Sequence, residues 1–343
     1  PTLMLRFLDK VEEKPIGSSE FPLLYEIERS AHLRNLIDAT AEGRPYPIKV
    51  LIVAGSNPMV TWPDTKKVRR ALENLELLVV IDTVMTETAK LAHVILPAAN
   101  FLERYDLSDQ GRDVAPYVAL GRPVVPPLEE AKPDILIFAD IARKLGLDGY
   151  FPWKDLREAI QAVIAPSGIT LEEIEKNKGG MYYSEKKFKS YEERGFDTPT
   201  GKVEFYSERL KAIGQDPMPT YRKLSTCDDQ YPLVLVTGVK NQEYVASQFR
   251  EVRSLRSRVP EPLLYVNSRT AERYGINEGD FVILKTKNGE MRIKAELSDY
   301  VHPLVVATTH GWNGINMLTD WDSCDPISGF PNLKAIPCSI SKS

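Results

Sequence analysis

The run KVLIVAG at residues 49–55 is followed by LELLVVID at residues 75–82 and HVILP at residues 93–97. Each run is short, apolar and rich in β-branched residues, a pattern typical of buried strands in a parallel sheet. Between the first two runs the composition is that of a helix, with Asp64 as its N-cap behind Pro63. The β-α-β-α-β order therefore predicts an α/β fold with a Rossmann-like doubly wound parallel sheet.

Polar residues stand directly after the first two strands, where the ligand crevice of an open α/β sheet lies. Gly55, Ser56 and Asn57 follow the first strand, and the backbone N–H groups of such a turn can approach a pyrophosphate. Asp82 ends the second strand, where a carboxylate can accept hydrogen bonds from ribose hydroxyls or guanine. Thr86 is placed to cap a short helix through its hydroxyl. Taken singly, these features are also typical of tight turns and solvated strand ends.

The flanking segments set the predicted domain limits. Residues 1–45 have the mixed composition of the tail of a preceding domain. The Rossmann-like domain then covers residues 46–150 and ends with a helix at residues 133–145, which Gly146 caps. Residues 151–230 are polar and interrupted by prolines, so we expect a connector that carries short helices rather than an independent core.

From residue 231 the pattern changes to short strands: YPLVLVTG (231–238), LLYVN (263–267) and FVILKTKNGEMRIKAEL (281–297). In the last of these, Asn288-Gly289 favours a type I′ hairpin turn. Ser268 to Tyr274, followed by Gly275, predicts one short capped helix. We therefore expect a double-psi-like β-barrel of about six strands that fills the rest of the chain, residues 231–343.

The bulk composition excludes several classes of function. Of 343 residues, 44 are Lys or Arg and 48 are Asp or Glu, and the resulting net charge of -4 provides no global basic field for nucleic acid. Hydrophobic residues make up 43%, yet no apolar run approaches the roughly 20 residues that cross a bilayer. We therefore expect a globular protein with no nucleic-acid partner and no membrane span in this chain.

Cysteine and histidine show no metal-ligand spacing. The three cysteines, at positions 227, 324 and 338, are widely separated, which predicts buried free thiols rather than a disulfide framework or a Cys-x-x-Cys knuckle. The four histidines, at positions 32, 93, 302 and 310, form no H-E-x-x-H or related pattern. No self-contained metal site is expected.

Five stretches resemble, in collinear order, the dimethyl sulfoxide reductase superfamily of molybdenum and tungsten enzymes. They are PYPIKVLIVAGSNPM (45–59), VVIDTVMTETAKLAHVILPAANFLER (79–104), FDTPTGKVEFYS (196–207), YPLVLVTG (231–238) and DPISGFPNLKAIPC (325–338). The spacing of T-E-T-A and V-I-L-P-A and the D-T-P-T-G-K-V-E turn are specific in combination. The resemblance spans essentially the whole chain and implies a cofactor of two pyranopterin guanine dinucleotides that hold molybdenum or tungsten.

The resemblance also implies cofactor contacts in both parts of the chain. In the Rossmann-like part they fall on Gly55, Ser56, Asn57, Asp82, Thr86 and Glu87. In the barrel they fall on Gly238, Lys240, Ser247, Arg250, His310, Trp312, Asn316, Asn332 and Lys334. Glu103 and Arg112 match positions near the cofactor or a domain seam. Lys240 stands where the family often has arginine, which removes a bidentate contact, and Ala246 stands where histidine is common.

The motifs H-G-W, D-P-I-S-G-F-P-x-L-K and a final P-C are most similar to the branch of thiosulfate and polysulfide reductases, arsenic oxyanion enzymes and acetylene hydratase. Formate dehydrogenases are next. The implied activity is two-electron redox chemistry on a small inorganic or organic substrate. No catalytic residue and no metal ligand can be assigned in this chain. The resemblance places the ligand and an iron-sulfur cluster in an N-terminal half of the same catalytic subunit.

That half and an electron-transfer iron-sulfur subunit are the implied partners. Any targeting signal, for prokaryotic cytoplasm or periplasm, is expected upstream of residue 1. Another class of protein fits the same residues: a structural subunit of a redox complex that keeps the fold without the cofactor. An NAD-dependent dehydrogenase is disfavoured, because no G-x-G-x-x-G turn follows the first strand.

Overall fold

The architecture comes from a computed structural model that describes residues 13–109, 115–185, 188–218, 220–221 and 227–343. Within these ranges the chain divides into two compact units. The first unit contains residues up to 80, residues 84–94 and residues from 220 onward. The second contains residues 81–83 and 95–218. No helix in the described ranges is long and apolar enough to cross a bilayer.

The chain up to residue 97 forms the α/β part of the fold. Its elements are α1 (Pro22–Glu28), α2 (Leu33–Glu42), β1 (Val50–Ala54), α3 (Pro58–Thr61), α4 (Thr65–Glu73), β2 (Leu77–Asp82) and β3 (Val94–Pro97). The three strands form one parallel sheet in the order β1-β2-β3, which confirms the strands predicted from the apolar runs. Asp64 caps α4 as predicted, since its Oδ1 accepts a hydrogen bond from Lys67 N at 3.0 Å.

The sheet is buried at its central strand, β2, and open at both edge strands, β1 and β3. Leu78 and Val80 of β2 are fully buried and pack against Val53 of β1 and residues of α4. The prediction that β1 is a buried strand is wrong for much of its length, because Val50 is 53% and Ile52 is 38% exposed. β1 and β3 are the edge strands of the sheet, and the prediction of a buried strand is also wrong for most of β3.

The second unit contains a small antiparallel sheet and short helices. Its elements are β4 (Asp106–Asp109), β5 (Tyr117–Gly121), α5 (Asp134–Lys144), α6 (Leu156–Ile164), α7 (Leu171–Lys176), β6 (Met181–Tyr182), α8 (Tyr191–Arg194) and α9 (Glu208–Ala212). The sheet has the order β4-β5-β6. α5 ends where predicted, with Gly146 in the left-handed region.

The short helices of this unit pack with the antiparallel sheet in a common core. Ile160 and Ile164 of α6, Ile174 of α7 and Val118 of β5 are buried together. This core is shared with β4 and β5, which lie outside residues 151–230. That residues 151–230 are a connector with short helices rather than an independent core stays a prediction.

The rest of the chain forms a closed six-stranded barrel with two helices. Its elements are β7 (Leu233–Val239), α10 (Arg253–Arg256), β8 (Leu263–Val266), α11 (Ser268–Tyr274), β9 (Phe281–Lys285), β10 (Glu290–Leu297), β11 (Val305–Thr309) and β12 (Ile336–Lys342). The strand order around the barrel is β10-β8-β11-β7-β12-β9. Leucine, isoleucine and valine side chains from all six strands fill its interior. The predicted barrel is confirmed, and α11 occupies the predicted residues.

The turn between β9 and β10 differs from the predicted type I′. That turn requires positive φ at both central residues, and neither Asn288 nor Gly289 has one. Thr286 N donates to Gly289 O at 2.9 Å, which centres the turn one residue earlier than predicted. Glycine is needed for a different reason: a Cβ at position 289 would lie 2.8 Å from the carbonyl oxygen of Met317.

The three cysteines are free, as predicted, but only one is buried. Cys338 lies on β12 inside the barrel, where burial raises the pKa of its thiol. Cys227 is exposed, and Cys324 is half-buried and accepts a hydrogen bond from Arg34 Nη1 at 3.1 Å. The prediction of buried thiols therefore holds for Cys338 and is wrong for Cys227.

Candidate functional site

Asn57 organises the loops at the carboxyl end of β1. Its side chain is buried, and its Nδ2 donates to Glu87 Oε2 at 2.8 Å. Its Oδ1 accepts from the backbone N of Thr88 at 3.2 Å and from Thr88 Oγ1 at 2.8 Å. Thr88 Oγ1 in turn accepts from Met59 N at 3.1 Å. The predicted site residues Asn57 and Glu87 are thus brought together, with Asn57 as a brace for the Glu87 loop.

The residues around this brace leave backbone and hydroxyl groups accessible. Gly55 is exposed at φ +56, and the space where its Cβ would be is open, so the positive φ is the reason for glycine here. Ser56 is half-buried beside it. Thr86 Oγ1 accepts from Ala89 N at 3.1 Å, as predicted for a capping hydroxyl. Asp82, which belongs to the second unit, ends β2, and its Oδ1 accepts from Thr83 N at 2.7 Å.

The first unit also places an arginine from the barrel near this region. Arg250 Nη2 donates to Ala246 O at 3.0 Å and approaches His310 O at 3.4 Å. Its guanidinium carbon lies 3.9 Å from the centroid of the Trp312 ring, an arrangement that favours a cation–π interaction. Burial lowers the pKa of Arg250 to about 10, and the negative charge of Glu87 is one of the influences that oppose this change.

Three buried polar atoms here have no partner among the described residues: Arg250 Nε, Trp312 Nε1 and Thr309 Oγ1. A buried N–H without an acceptor costs about 1 to 3 kcal/mol, and native proteins rarely keep several close together. Arg250 and Trp312 are in contact with each other. Their two free N–H groups therefore mark a place where a ligand with acceptor oxygens would be stabilised.

The loops that hold Arg250 have unusual backbone conformations. Ala246 and Phe249 lie in the left-handed region at φ +51 and φ +69, and Ser247 between them is half-buried. Gly311 also has a positive φ, and a Cβ there would lie 2.5 Å from the carbonyl carbon of Ala246. Position 311 therefore requires glycine for two reasons, its positive φ and the close approach of the Ala246 backbone. His310 N donates to Val239 O at 3.1 Å, which ties the His310 loop to β7.

Two predicted asparagines have structural partners. Asn316 is buried, and its Nδ2 donates to Val60 O at 2.9 Å, which joins the loop after β11 to α3. Asn332 Oδ1 accepts from Ala335 N at 3.0 Å, and its Nδ2 donates to Ala335 O at 2.8 Å. Asn332 thus shapes the turn that carries Lys334. These bonds are sufficient to explain both asparagines without a ligand contact.

Lys240 and Lys334 lie at the same end of the barrel. Both are exposed, Lys240 just beyond β7 and Lys334 just before β12. The Cε of Lys334 would lie 3.6 Å from a Cβ at position 238, so its stem runs beside Gly238. Gly238 has no positive φ, and a Cβ at this position would make only ordinary van der Waals contact with the lysine.

Glu103 braces two loops of the second unit. Its carboxylate accepts from Asn100 N at 2.8 Å and Leu128 N at 3.2 Å. Leu102 O, next to it, accepts from Val124 N at 2.8 Å and Val125 N at 3.2 Å. These bonds hold together five exposed side chains, which we call the apolar patch: Phe101, Leu102, Val124, Val125 and Leu128, between 45% and 71% exposed. Arg112, named with Glu103 in the sequence analysis, lies outside the described residues.

Two residues of the site were missed by sequence reasoning. Thr88 lies within the recognised T-E-T-A motif, yet only Thr86 and Glu87 were singled out from it. Tyr244 contacts Arg250, and nothing in its sequence context pointed to that. In the described ranges no group of three or more His, Cys, Asp and Glu side chains is arranged to hold a metal ion.

Two family models match the chain. "Molybdopterin oxidoreductase" matches residues 31–144, and "Molydopterin dinucleotide binding domain" matches residues 233–337, which include five strands of the barrel and the start of β12. The first match contains Asn57 and Glu87, and the second contains Arg250 and Trp312. The two halves of the candidate site therefore belong to the two matched regions.

Curated relatives and a solved structure agree with these matches. Acetylene hydratase of Syntrophotalea acetylenica is 29% identical over 87% of this chain and 44% of its own length. A thiosulfate reductase subunit of Salmonella typhimurium is 26% identical over 87% and 44%, and an F420-dependent formate dehydrogenase subunit of Methanocaldococcus jannaschii is 28% identical over 86% and 43%. This chain therefore spans less than half the length of these relatives.

The structure of acetylene hydratase from Pelobacter acetylenicus superposes with a TM-score of 0.85 at 26% sequence identity. The superposition covers 96% of this chain and 52% of that chain. Fold, motifs and family matches therefore agree along most of the sequence. The chain belongs to the molybdopterin oxidoreductase family, within the dimethyl sulfoxide reductase superfamily that its motifs resemble.

Proposed function

We propose that this chain is the C-terminal part of a molybdenum or tungsten oxidoreductase catalytic subunit and that it binds the two pyranopterin guanine dinucleotides of the cofactor. The observation that carries the proposal is the pair of unpartnered N–H groups on Arg250 and Trp312. Phosphate and pterin oxygens are acceptors of the required kind. Arg250 also adds a positive charge. Several buried phosphates require cations nearby, because burial of unpaired charge is strongly unfavourable.

The other candidate residues divide into binding and bracing roles. Gly55 and Ser56 offer backbone and hydroxyl groups, and Lys240 and Lys334 offer exposed ammonium groups. Asp82, Thr86, Glu87, Ser247 and His310 complete the proposed binding set. Asn57, Asn316 and Asn332 support the site by fixing the loops that carry these groups. We keep residues 46–150 and 231–343 as the two proposed dinucleotide-binding domains.

The bound cofactor would supply two-electron redox chemistry, while this chain binds and orients it. No residue of the chain is proposed to act on the substrate directly. The metal ligand and an iron-sulfur cluster are proposed to belong to the part of the catalytic subunit outside this chain. An electron-transfer iron-sulfur subunit is the proposed further partner.

The substrate proposal is a thiosulfate- or polysulfide-like sulfur compound, with formate as the second candidate. It is supported by the H-G-W and D-P-I-S-G-F-P motifs and by the thiosulfate reductase and formate dehydrogenase relatives. The test uses the anaerobically purified full-length subunit and a viologen dye as electron donor or acceptor. The expected result is oxidation of the reduced dye by thiosulfate or polysulfide at a higher rate than reduction of the oxidised dye by formate. Hydration of acetylene without dye turnover would overturn the redox proposal.

A cofactor-free structural subunit remains the competing function. Such a subunit gains nothing from a half-buried arginine that leaves its Nε without an acceptor, since this arrangement costs stability. The two functions differ in one simple measurement, the amount of guanine nucleotide that the purified subunit releases on denaturation. A structural subunit would release none.

A further inference from the structure

The surroundings of Arg250 include one side chain with no assigned role. Tyr244 is 7% exposed, and the guanidinium carbon of Arg250 lies 5.4 Å from the centroid of its ring. The ring of Tyr244 stands at 87° to that of Trp312, with centroids 5.7 Å apart. Arg250 therefore lies within cation–π distance of two aromatic rings at right angles to each other.

Tyr244 is itself fixed at its far end. Its hydroxyl donates to Val259 O at 2.7 Å, a contact that spans the loop containing α10. The hydroxyl is thus satisfied by the protein and is not available to a ligand. Only the aromatic ring of Tyr244 is left to act on the site, and this ring faces the guanidinium of Arg250.

The donors of Arg250 divide into two groups. Nη2 is directed to the protein, to Ala246 O and His310 O, while Nε is buried without a partner. An arginine side chain has many rotamers, and rotation of the side chain would ordinarily bring an unpaired Nε–H into contact with water. Rings at both Trp312 and Tyr244, together with the Nη2 anchors, prevent that rotation.

We propose that Tyr244 is a positioning residue, which acts through Arg250 to keep its Nε–H directed at an anionic group of the bound pyranopterin dinucleotide. The inference rests on the proposed function, because it requires a bound dinucleotide. Tyr244 has no direct ligand contact in this arrangement. Its effect on cofactor binding must therefore disappear when Arg250 is removed.

The test measures guanine nucleotide released by denaturation from the full-length catalytic subunit that contains this chain. Tyr244→Leu is expected to lower retention of nucleotide about tenfold, and Tyr244→Phe to restore most of it, because the ring persists. The decisive variants are Arg250→Met alone and in combination with Tyr244→Leu. The double variant should retain as much nucleotide as Arg250→Met alone, since the two residues act as one unit.

Tyr274→Leu is the matched control, because Tyr274 packs against the barrel core and is not among the residues around Arg250. It should lower thermal stability without lowering nucleotide retention. Additive losses from Tyr244→Leu and Arg250→Met, or unchanged retention in Tyr244→Leu, would overturn the positioning role while leaving the proposed function intact. A wild-type subunit without any guanine nucleotide would overturn both.

Discussion

At the scale of single residues, the site combines an arginine that is held by the protein with lysines that are not. Arg250 has two backbone acceptors and a ring beneath it, whereas Lys240 and Lys334 project from the barrel end. A rigid, half-buried guanidinium fixes the direction of its hydrogen bonds to a ligand. Exposed ammonium groups contribute positive charge without a fixed direction. Replacing each kind of residue should therefore have different consequences.

Arg250→Lys keeps a positive charge but loses the planar group that lies on Trp312 and reaches Ala246 O. We expect this variant to lose nearly as much bound guanine nucleotide as Arg250→Met, about 2 kcal/mol of binding free energy. Nucleotide released from the purified full-length variants measures the effect. Full retention in Arg250→Lys would show that charge alone is sufficient.

The contribution of Arg250 also has a predictable pH dependence. Burial lowers the pKa of Arg250 to about 10, so the guanidinium is fully charged at neutral pH. Because the charged form binds the anion, the contribution is constant below the lowered pKa and is lost as the pH rises through it. Nucleotide retention should be flat from about pH 6 to pH 8 and decline toward pH 10. In Arg250→Met this decline should be smaller, and an equal decline in that variant would contradict the assignment.

Lys334→Met tests the second kind of cation. Its ammonium group is exposed and its stem runs beside Gly238, so the substitution should leave thermal stability nearly unchanged and lower nucleotide retention. Lys285→Met is the control, because Lys285 is an exposed barrel lysine paired with Glu290. Equal retention in both variants would remove Lys334 from the binding set.

At the scale of secondary-structure elements, the sequence predicts those elements that depend mainly on residues close to each other in the chain. The strands at KVLIVAG, LELLVVID and HVILP, the cap at Asp64 and the helix at residues 268–274 follow from residue type and spacing. The β9–β10 turn does not, because its glycine is required by the backbone of Met317, 28 positions further along the chain. Tyr244 was not predicted either, because its partner Trp312 lies in another loop, far away in the sequence.

The β9–β10 turn provides a test of this explanation. Gly289→Ala should destabilise the barrel by about 1 to 3 kcal/mol through its contact with Met317 O, although its φ suits any residue. Gly149→Ala is a suitable control, because a Cβ there meets nothing within 4 Å and φ is not positive. Chemical denaturation of both variants measures the difference. Equal stability would show that the Met317 carbonyl moves aside without cost.

At the scale of the whole molecule, we expect the apolar patch of the second unit to be a contact surface for another part of the protein. The hydrogen bonds of Glu103 and of the Leu102 carbonyl join the loops that carry the five exposed side chains of this patch. Such an apolar surface is typical of permanent interfaces, whereas transient electron-transfer contacts are small and polar. The chain covers only 52% of the acetylene hydratase structure that it matches. We expect the remaining part of the catalytic subunit to cover this patch.

A photo-crosslinking amino acid at position 124 identifies what covers the patch in the assembled enzyme. A crosslink to another part of the same catalytic subunit is expected. The same amino acid at position 300, which is fully exposed on the barrel, is the control and should remain unlinked within the subunit. A crosslink from position 124 to the electron-transfer subunit or to a second copy would show that the patch serves assembly between subunits.

The central claim is that this chain holds the dinucleotide parts of a molybdenum or tungsten cofactor. The most direct measurement is the number of guanine nucleotides released by denaturation from the purified full-length subunit, taken together with its metal content. Two guanine nucleotides and one molybdenum or tungsten per polypeptide are expected, with the nucleotide number reduced in Arg250→Met. A folded full-length subunit that releases no guanine nucleotide would contradict the claim.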